Sequence, residues 1–438
     1  MELWSVFTIL LSLGILIFMA LRGFSIIIIA PIASIIVILL NGMPFLEGMQ
    51  ESYMAGFINF AKNYYLIFLF AALFGKFMED SGAARKIAEA LLKIIGRESK
   101  FKVLIAVVVI SAILTYGGIN VFVVIFAMLP IAKPLFKELE VPWHLFVGAF
   151  FFGIATFTMT MTPGTPSIQN IIPTKYFGTT VTAAPLLGII ATILVIIINV
   201  WYLRFALKRA ESRGETYSNM KNPDKNPKQE MTDQYADKKL PPLFVSILPP
   251  VFLLVALNAF KLDVLLTLML SVAVCFVLFW PFIEKKFKTI NVGATNTVLP
   301  IVNTSADVGY GTVIAATAGF AVVSNWLTSI PGSPFISLYL ATTLLAGITG
   351  SASGGLGIAM ETLGKTYFDM GLDPEILHRI AAMASGGFDA LPHNGAVITI
   401  LAVVGLTHKD AYRHIFATAV MAPVIAAIPT IIIASLFY

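Results

Sequence analysis

Four polar clusters interrupt apolar runs that otherwise read as continuous membrane helices: TYGGIN (Thr115–Asn120), MTPGTPSIQN (Met161–Asn170), GSASGG (Gly350–Gly355) and FDALPHNG (Phe388–Gly395). Unwound backbone at membrane depth has to be satisfied inside protein or a wet cavity, so the four segments are expected to meet in one polar site. A new helix starts after each break, and its first N–H groups have no partner within that helix. Asn120, Thr165 or Ser167, Ser353 and Asn394 are the candidate N-caps, and Pro166 suits a first helical position. Four helix N-termini around one centre would offer partial positive charge and free donors, which suits an anion and above all a carboxylate. The hydroxyls of Thr115, Thr165, Ser167, Ser351 and Ser353 would hold that carboxylate, with Gln169, Asn170 or Asn394 taking a substrate hydroxyl.

No Lys or Arg is expected at the depth of these breaks apart from Lys175, toward the outer end of its helix. Countercharge from dipoles, hydroxyls and amides favours a monocarboxylate over a tricarboxylate. Asp389 and His393 flank Leu391-Pro392, and either could carry a proton, since ionisable groups within the membrane default to functional candidates and histidine titrates near neutral pH. Asp307 and Glu361 lie near other breaks, Glu361 two turns beyond Ser353 and so toward the outer surface. His144, His378, His408 and His414 fall at span ends, which predicts interfacial positions. No His/Cys cluster has metal-ligand spacing, and neither a nucleophile elbow nor a phosphate loop occurs, so no metal, no cofactor and no enzyme activity are expected. Each break alone has a plainer explanation: a packing contact for Gly118 or Gly354, a proline kink for TPGTP. Four breaks in matching order favour a site.

The elements that must position these residues follow from composition. Of 438 residues, 58% are hydrophobic and 12% charged, with mean hydropathy +0.88. A soluble domain has about 45–50% apolar and about 25% charged residues, so most of the apolar surface must face lipid. The class is an all-α polytopic membrane protein, expected in the cell membrane. The net charge of +5 is expected to reflect cytoplasmic loops rather than a nucleic-acid surface. The single cysteine, Cys275, lies in an apolar run and reads as a small buried hydrophobe. Glu2 precedes the first run and no small-residue cleavage site follows, so that run is expected to be a retained helix.

Spans are predicted near Trp4–Leu21, Phe24–Leu40, Phe57–Met78, Pro142–Met161, Thr179–Tyr202, Leu243–Phe260, Leu262–Phe282, Val292–Val308, His378–Gly405 and Tyr412–Phe437. Phe101–Lys133 and Pro334–Tyr367 are each broken midway into pieces shorter than the roughly 20 residues a crossing needs, and read as re-entrant hairpins. Arg85, Lys86, Glu89 and Lys93 share one helical face opposite Ile87, Leu91 and Ile94, as in an interfacial helix. Arg22 after the first span and the Lys/Arg-rich segments near Met78 and after Tyr202 and Phe282 belong inside, which leaves both termini extracytoplasmic. Residues 208–241, rich in Lys, Asp, Asn, Gln and Pro, read as a cytoplasmic linker. The same order of elements stands either side of it: residues 1–207 with a hairpin at 101–136 and a broken helix at 142–173, then residues 242–438 with a hairpin at 334–368 and a broken helix at 378–405. Five full crossings per half is odd, so the second half would sit upside down relative to the first, an inverted repeat.

MTPGTPSIQNIIPTKYFG, together with GSASGGLGIAMETLG and FDALPHNGAVITIL, resembles the gluconate permease family of proton-coupled carboxylate symporters, within the ion transporter superfamily. The resemblance covers essentially the whole chain and is nearest the D-beta-hydroxybutyrate permease-like branch. It implies an elevator architecture and a homodimer, with a scaffold of outer spans and a mobile domain carrying both hairpins and both broken helices. It also implies a substrate site at the tips Gly117–Asn120 and Ser351–Gly355, with Thr162–Asn170 and Pro392–Gly395, which adds Gly118, Thr162, Gly164, Gly354, Gly355 and His393 to the residues above. The expected function is proton-coupled symport of a small hydroxy-monocarboxylate, 3-hydroxybutyrate-like or gluconate-like. Sodium coupling on the same architecture stays open, because carbonyls freed at the breaks can ligate Na⁺. An anion channel is the further alternative.

Overall fold

The computed structural model describes residues 2–22, 24–95, 99–119, 121–221, 239–328, 333–392 and 394–437. Among them every regular element is helical. The first half holds α1 (Glu2–Leu21), α2 (Ile26–Leu40), α3 (Met54–Asp80), α4 (Ala83–Ile95), α5 (Lys100–Tyr116), α6 (Val121–Glu138), α7 (His144–Ala155), α8 (Ile168–Phe177) and α9 (Pro185–Ser212). The second holds α10 (Leu243–Asn258), α11 (Val264–Phe279), α12 (Val298–Ala315), α13 (Ala318–Thr328), α14 (Pro334–Thr349), α15 (Ala352–Ala359), α16 (Pro374–Ala384), α17 (Gly395–Val403) and α18 (Ala422–Phe437). Short helices lead into three of these, at Phe45–Glu47, Lys286–Thr295 and His408–Ile415. Wider π turns run on from the first and third of them, at Gly48–Tyr53 and Phe416–Met421, and others extend α7 and α15, at Phe157–Met161 and Met360–Gly364.

Packing follows the same order twice. Helix α5 lies on α7 as α14 lies on α16; α3 lies on α11 as α12 lies on α2; α4 lies on α10 as α13 lies on α1. The counterparts α3 and α12 pack against each other, and so do α9 and α18. Close approach along α12 depends on residues without a Cβ: Gly309 faces the Tyr53 backbone, Gly311 faces Ile358, and Gly357 of α15 faces Val308. Small residues of this kind let backbones of membrane helices approach closely where no hydrophobic force drives them together.

By length and composition, five helical stretches are able to cross a membrane among the described residues: Phe45–Asp80, His144–Met161, Pro185–Ser212, Val264–Phe282 and His408–Phe437. Along α9, Leu186, Ile189, Ile193, Ile197 and Trp201 stand exposed at helical spacing, a stripe that suits lipid. The aromatic core sits instead around α7, whose Phe146, Phe150 and Phe152 are buried with Trp143.

Several expectations are corrected. The span expected at Val292–Val308 is two helices, Lys286–Thr295 and α12, which runs on to Ala315. Helix α13 was not expected and answers α4 in order. The broken helix placed at 378–405 starts at Pro374, where Asp373 caps it by accepting from Glu375 N. Helix α9 extends ten residues past Tyr202, so the linker does not begin at Lys208. Residues 213–221 are docked: Tyr217 is buried against Trp143, and Lys221 pairs with Asp410 at 2.8 Å. Ser218 donates to Glu140 through its hydroxyl and its backbone N–H, which holds that carboxyl below the usual carboxylate range. Residues 222–238 of the expected linker lie outside the described residues.

Candidate functional site

A glycine in the left-handed region turns the chain at each of the four breaks: Gly118 (φ +83°), Gly164 (φ +82°), Gly350 (φ +60°) and Gly387 (φ +105°). Residues with a Cβ rarely adopt this region. The breaks adjoin one another. Tyr116 OH donates to the Pro163 carbonyl at 2.9 Å, and Gly118 faces Pro166, joining the first hairpin tip to the first break. Asn394 Nδ2 donates to the Gly350 carbonyl at 2.9 Å, joining the second break to the second tip. Gly386 faces the Thr160 side chain, and α15 packs on α8, which links the two halves of the site.

Unwinding leaves carbonyls that need donors, and remote side chains supply them. In the first break Asn170, fully buried, donates through Nδ2 to the carbonyls of Thr165 (3.0 Å) and Val181 (2.7 Å). Asn258 of α10 donates to the Gly164 carbonyl at 3.0 Å, and Gly164 N donates to Val181 O. The largest contribution comes from Arg379 on α16, 0% exposed. Its Nε and Nη2 donate to Ala183 O at 3.0 and 2.8 Å, Nη2 also to Val181 O, and Nη1 to Asn170 Oδ1 at 3.0 Å and to Met161 O. This corrects the expectation that no Arg stands at the depth of the breaks. All five guanidinium donors are engaged, so Arg379 shapes the loop and adds a fixed positive charge without presenting a free N–H to a ligand.

His378, next to Arg379, is also fully buried; its Nδ1 lies 2.6 Å from Thr179 Oγ1 and its Nε2 3.2 Å from Asn170 Oδ1. In the second break His408 Nε2 bonds the Pro392 carbonyl at 2.8 Å and Tyr412 OH the Ala390 carbonyl at 3.2 Å. His144 and His414 are buried as well, Nδ1 to Nε2 at 2.9 Å, with Glu215 Oε2 2.9 Å from His144 Nε2 and Tyr202 OH 2.9 Å from His414 Nδ1. Three of the histidines expected at the interface therefore sit inside polar networks.

The capping residues are settled by geometry. Ser167 caps α8, accepting from Asn170 N, with Pro166 ahead of the cap instead of inside the helix. Asn394 caps α17 by accepting from Val397 N at 2.8 Å. Ser351, not Ser353, caps α15, accepting from Gly354 N at 3.0 Å. Ser353 Oγ lies 3.4 Å from Thr304 Oγ1. Gly355 is turned into α14, where a Cβ would meet the Ala346 backbone, so it serves packing. Asn120 and His393 lie outside the described residues.

Other polar atoms in these segments are left without partners. Thr115 Oγ1, Thr165 Oγ1 and Gln169 Oε1 are buried and unbonded around the first break. Asp389 Oδ1 in the second break and Asp307 Oδ1 on α12 are buried and unbonded too. Thr162 Oγ1 pairs with Thr192 Oγ1 at 3.0 Å. Buried polar groups in native proteins almost always have partners, so each of these atoms is a candidate contact for a ligand, ion or water. Glu361, expected toward the outer surface, is half-buried and accepts from Asn59 Nδ2 at 3.0 Å and Tyr176 OH at 2.7 Å.

A cavity of about 440 Å³ runs beside the first hairpin tip between α4, α9 and α10. Ile87, Ile94, Ile113, Ile247 and Leu254 give it a mainly apolar wall, with Thr162 and Thr192 at its edge. Among the described residues no cluster of His, Cys, Asp and Glu is able to hold a metal ion.

A family model described as GntP family permease matches residues 4–437. YxjC of Bacillus subtilis (strain 168), described as an uncharacterized transporter, is 36% identical over 451 residues, covering 93% of this chain and 94% of that protein. Helices with lipid-facing stripes, glycine-turned breaks and a match over almost the full length agree on a membrane transporter rather than an enzyme, and the chain belongs to the GntP permease family.

Proposed function

We propose that the protein is a secondary active transporter coupling inward proton movement to uptake of a small hydroxy-monocarboxylate of the 3-hydroxybutyrate or gluconate type. The observation that carries this reading is the set of buried, unbonded neutral groups at the first break, Thr115, Thr165 and Gln169, beside the fixed charge of Arg379. The Thr115 and Thr165 hydroxyls can donate to a carboxylate and Gln169 Oε1 can accept from a substrate hydroxyl, while a buried cation with no carboxylate in salt-bridge contact among the described residues adds long-range attraction. Saturation of Arg379 by carbonyls keeps the preference for one carboxylate over three, since no free guanidinium is left to pair with further charges.

In this reading the halves 1–207 and 242–438 are inverted repeats, in keeping with their matched order and packing. The hairpins and broken helices form the moving body of an elevator, α9 and α18 lie in the scaffold of a homodimer in the cell membrane, the linker is cytoplasmic, and both termini are outside. Purified protein in proteoliposomes, given imposed pH or Na⁺ gradients and a panel of labelled carboxylates, tests the function. Saturable uptake driven by the proton gradient supports it. Dependence on sodium with no response to the pH gradient removes proton coupling, and current without counterflow of labelled substrate replaces the carrier with a channel.

A further inference from the structure

Helix α12 carries Asn303, Thr304, Ser305 and Asp307 along its middle, and Asp307 is 2% exposed. Its Oδ2 lies against Gly354, at the first turn of α15, where a Cβ would collide with the carboxylate. Its Oδ1 has no hydrogen-bond partner, and neither have Asn303 Oδ1 and Ser305 Oγ. Ser353 Oγ, from the same hairpin tip, reaches Thr304 Oγ1 one turn earlier on α12. Among the described residues no cation forms a salt bridge with Asp307.

The elements packed on α12 bring few ionisable groups. Helices α2, α13 and α15 carry none. The turn Gly48–Tyr53 brings the Tyr53 phenol within electrostatic range, and Glu51, which is exposed. On α3, Lys62 and Tyr65 are exposed, Tyr64 OH is bonded to Ile172 O, and Lys76 pairs with Glu79 and Asp80. Glu361 is held by Asn59 and Tyr176, and Lys286 sits over the Trp280 ring with Lys288 exposed. Asp389, whose Oδ1 is also without a partner, sits in the turn Phe388–Ala390 and not on α12.

Resting on the transport reading above, we propose that Asp307 carries the coupling proton. An unpaired carboxylate at this depth is costly, and binding a proton from water removes the charge. The O–H bond forms on Asp307 when the Gly350–Gly354 tip parts from α12 toward the outer solution, and it breaks to inner water when the tip opens inward. Closing the tip over Asp307 separates the two waters. One proton travelling with one monocarboxylate moves no net charge relative to the empty carrier.

Proteoliposomes with labelled 3-hydroxybutyrate and gluconate as probes test this. With one proton per substrate, a gradient of about one pH unit supports about tenfold accumulation in wild type, insensitive to a potassium diffusion potential. Asp307→Asn should abolish accumulation, while counterflow continues at a rate that no longer varies with pH; Asp307→Glu should restore the gradient response, and Glu51→Gln, an exposed carboxyl on the turn packed against α12, should keep it. Gradient-driven accumulation by Asp307→Asn, or its loss in Asp389→Asn alone, overturns the proposal. A readout without substrate guards against misfolding of the variant: infrared difference spectra of purified protein across a pH titration should contain a protonated buried carboxyl band that Asp307→Asn lacks. An unchanged band also overturns the proposal. Failure of wild type to transport any carboxylate, with that band present and assigned to Asp307, removes the transport reading but leaves a titrating Asp307.

Discussion

In the first break Arg379, Asn170, Asn258 and Tyr116 take up the freed carbonyls, and the atoms left over are neutral, Thr165 Oγ1 and Gln169 Oε1. In the second, His408, Tyr412 and Asn394 do the same for Pro392, Ala390 and Gly350, and the atoms left over belong to carboxyl groups, Asp389 Oδ1 and, beside the adjoining tip, Asp307 Oδ1. Both breaks solve the same backbone problem with borrowed side chains. They differ in the sign of the charge that remains, a cation beside one and carboxyls beside the other. Under the proposed function, that difference gives an anion and a proton separate places.

The comparison breaks first at Arg379. Ala183 O and Met161 O have Arg379 as their donor, so Arg379→Ala leaves both without one at about 1–3 kcal/mol each, the largest loss expected for any variant here. Arg379→Lys keeps the charge but not the planar fork and should recover little. Thermal unfolding in detergent measures it, and an unchanged midpoint for Arg379→Ala would mean that the first break holds its shape by other means.

Next in size comes Gly164→Ala set against Gly178→Ala. Both glycines are left-handed, at φ +82° and +65°, which costs an alanine about 1–2 kcal/mol. Gly178 faces open space, whereas at Gly164 the new Cβ meets the Asn258 amide that bonds its carbonyl. Gly164→Ala should therefore lose about 1 kcal/mol more than Gly178→Ala. Equal losses would show that the approach of α10 to the break contributes nothing. Thr165→Val should move the other quantity: its hydroxyl has no partner to lose, so stability stays within about 0.5 kcal/mol. Substrate KM should rise about threefold to tenfold, the worth of one hydrogen bond.

The breaks were legible because glycine, proline and polar residues cannot be hidden in a run of some twenty apolar residues. The site's Ser167 and Asn394 caps followed from local rules, each bonding a backbone N–H three residues on. Arg379 was not legible, for a physical reason: its partners lie about 200 residues earlier in the chain, and a cation at the head of an apolar run reads as a loop charge until the fold buries it. Asn258 at the end of α10 and Tyr116 at the end of α5 were hidden in the same way. Helix α13 escaped notice because α12, with Asn303 to Asp307 at its centre, does not look like one continuous span.

The smallest effect separates two serines of the second tip. Ser351 accepts from Gly354 N and caps α15, and loss of an N-cap hydroxyl costs about 0.5–2 kcal/mol. Ser353, two residues later, caps nothing, and its nearest polar neighbour is Thr304 Oγ1 at 3.4 Å, a weak contact. Ser351→Ala should lower the unfolding midpoint, and Ser353→Ala should leave it in place. If the tip also closes over Asp307, the pair divides a second time: loosening the first turn of α15 exposes the carboxyl to water, so Ser351→Ala should leak protons without substrate, measured by a pH-sensitive dye inside the vesicles, while Ser353→Ala should not. Equal midpoints and equal leaks would place the two hydroxyls on one footing and remove the distinction between a cap that holds the tip and a hydroxyl that only borders it.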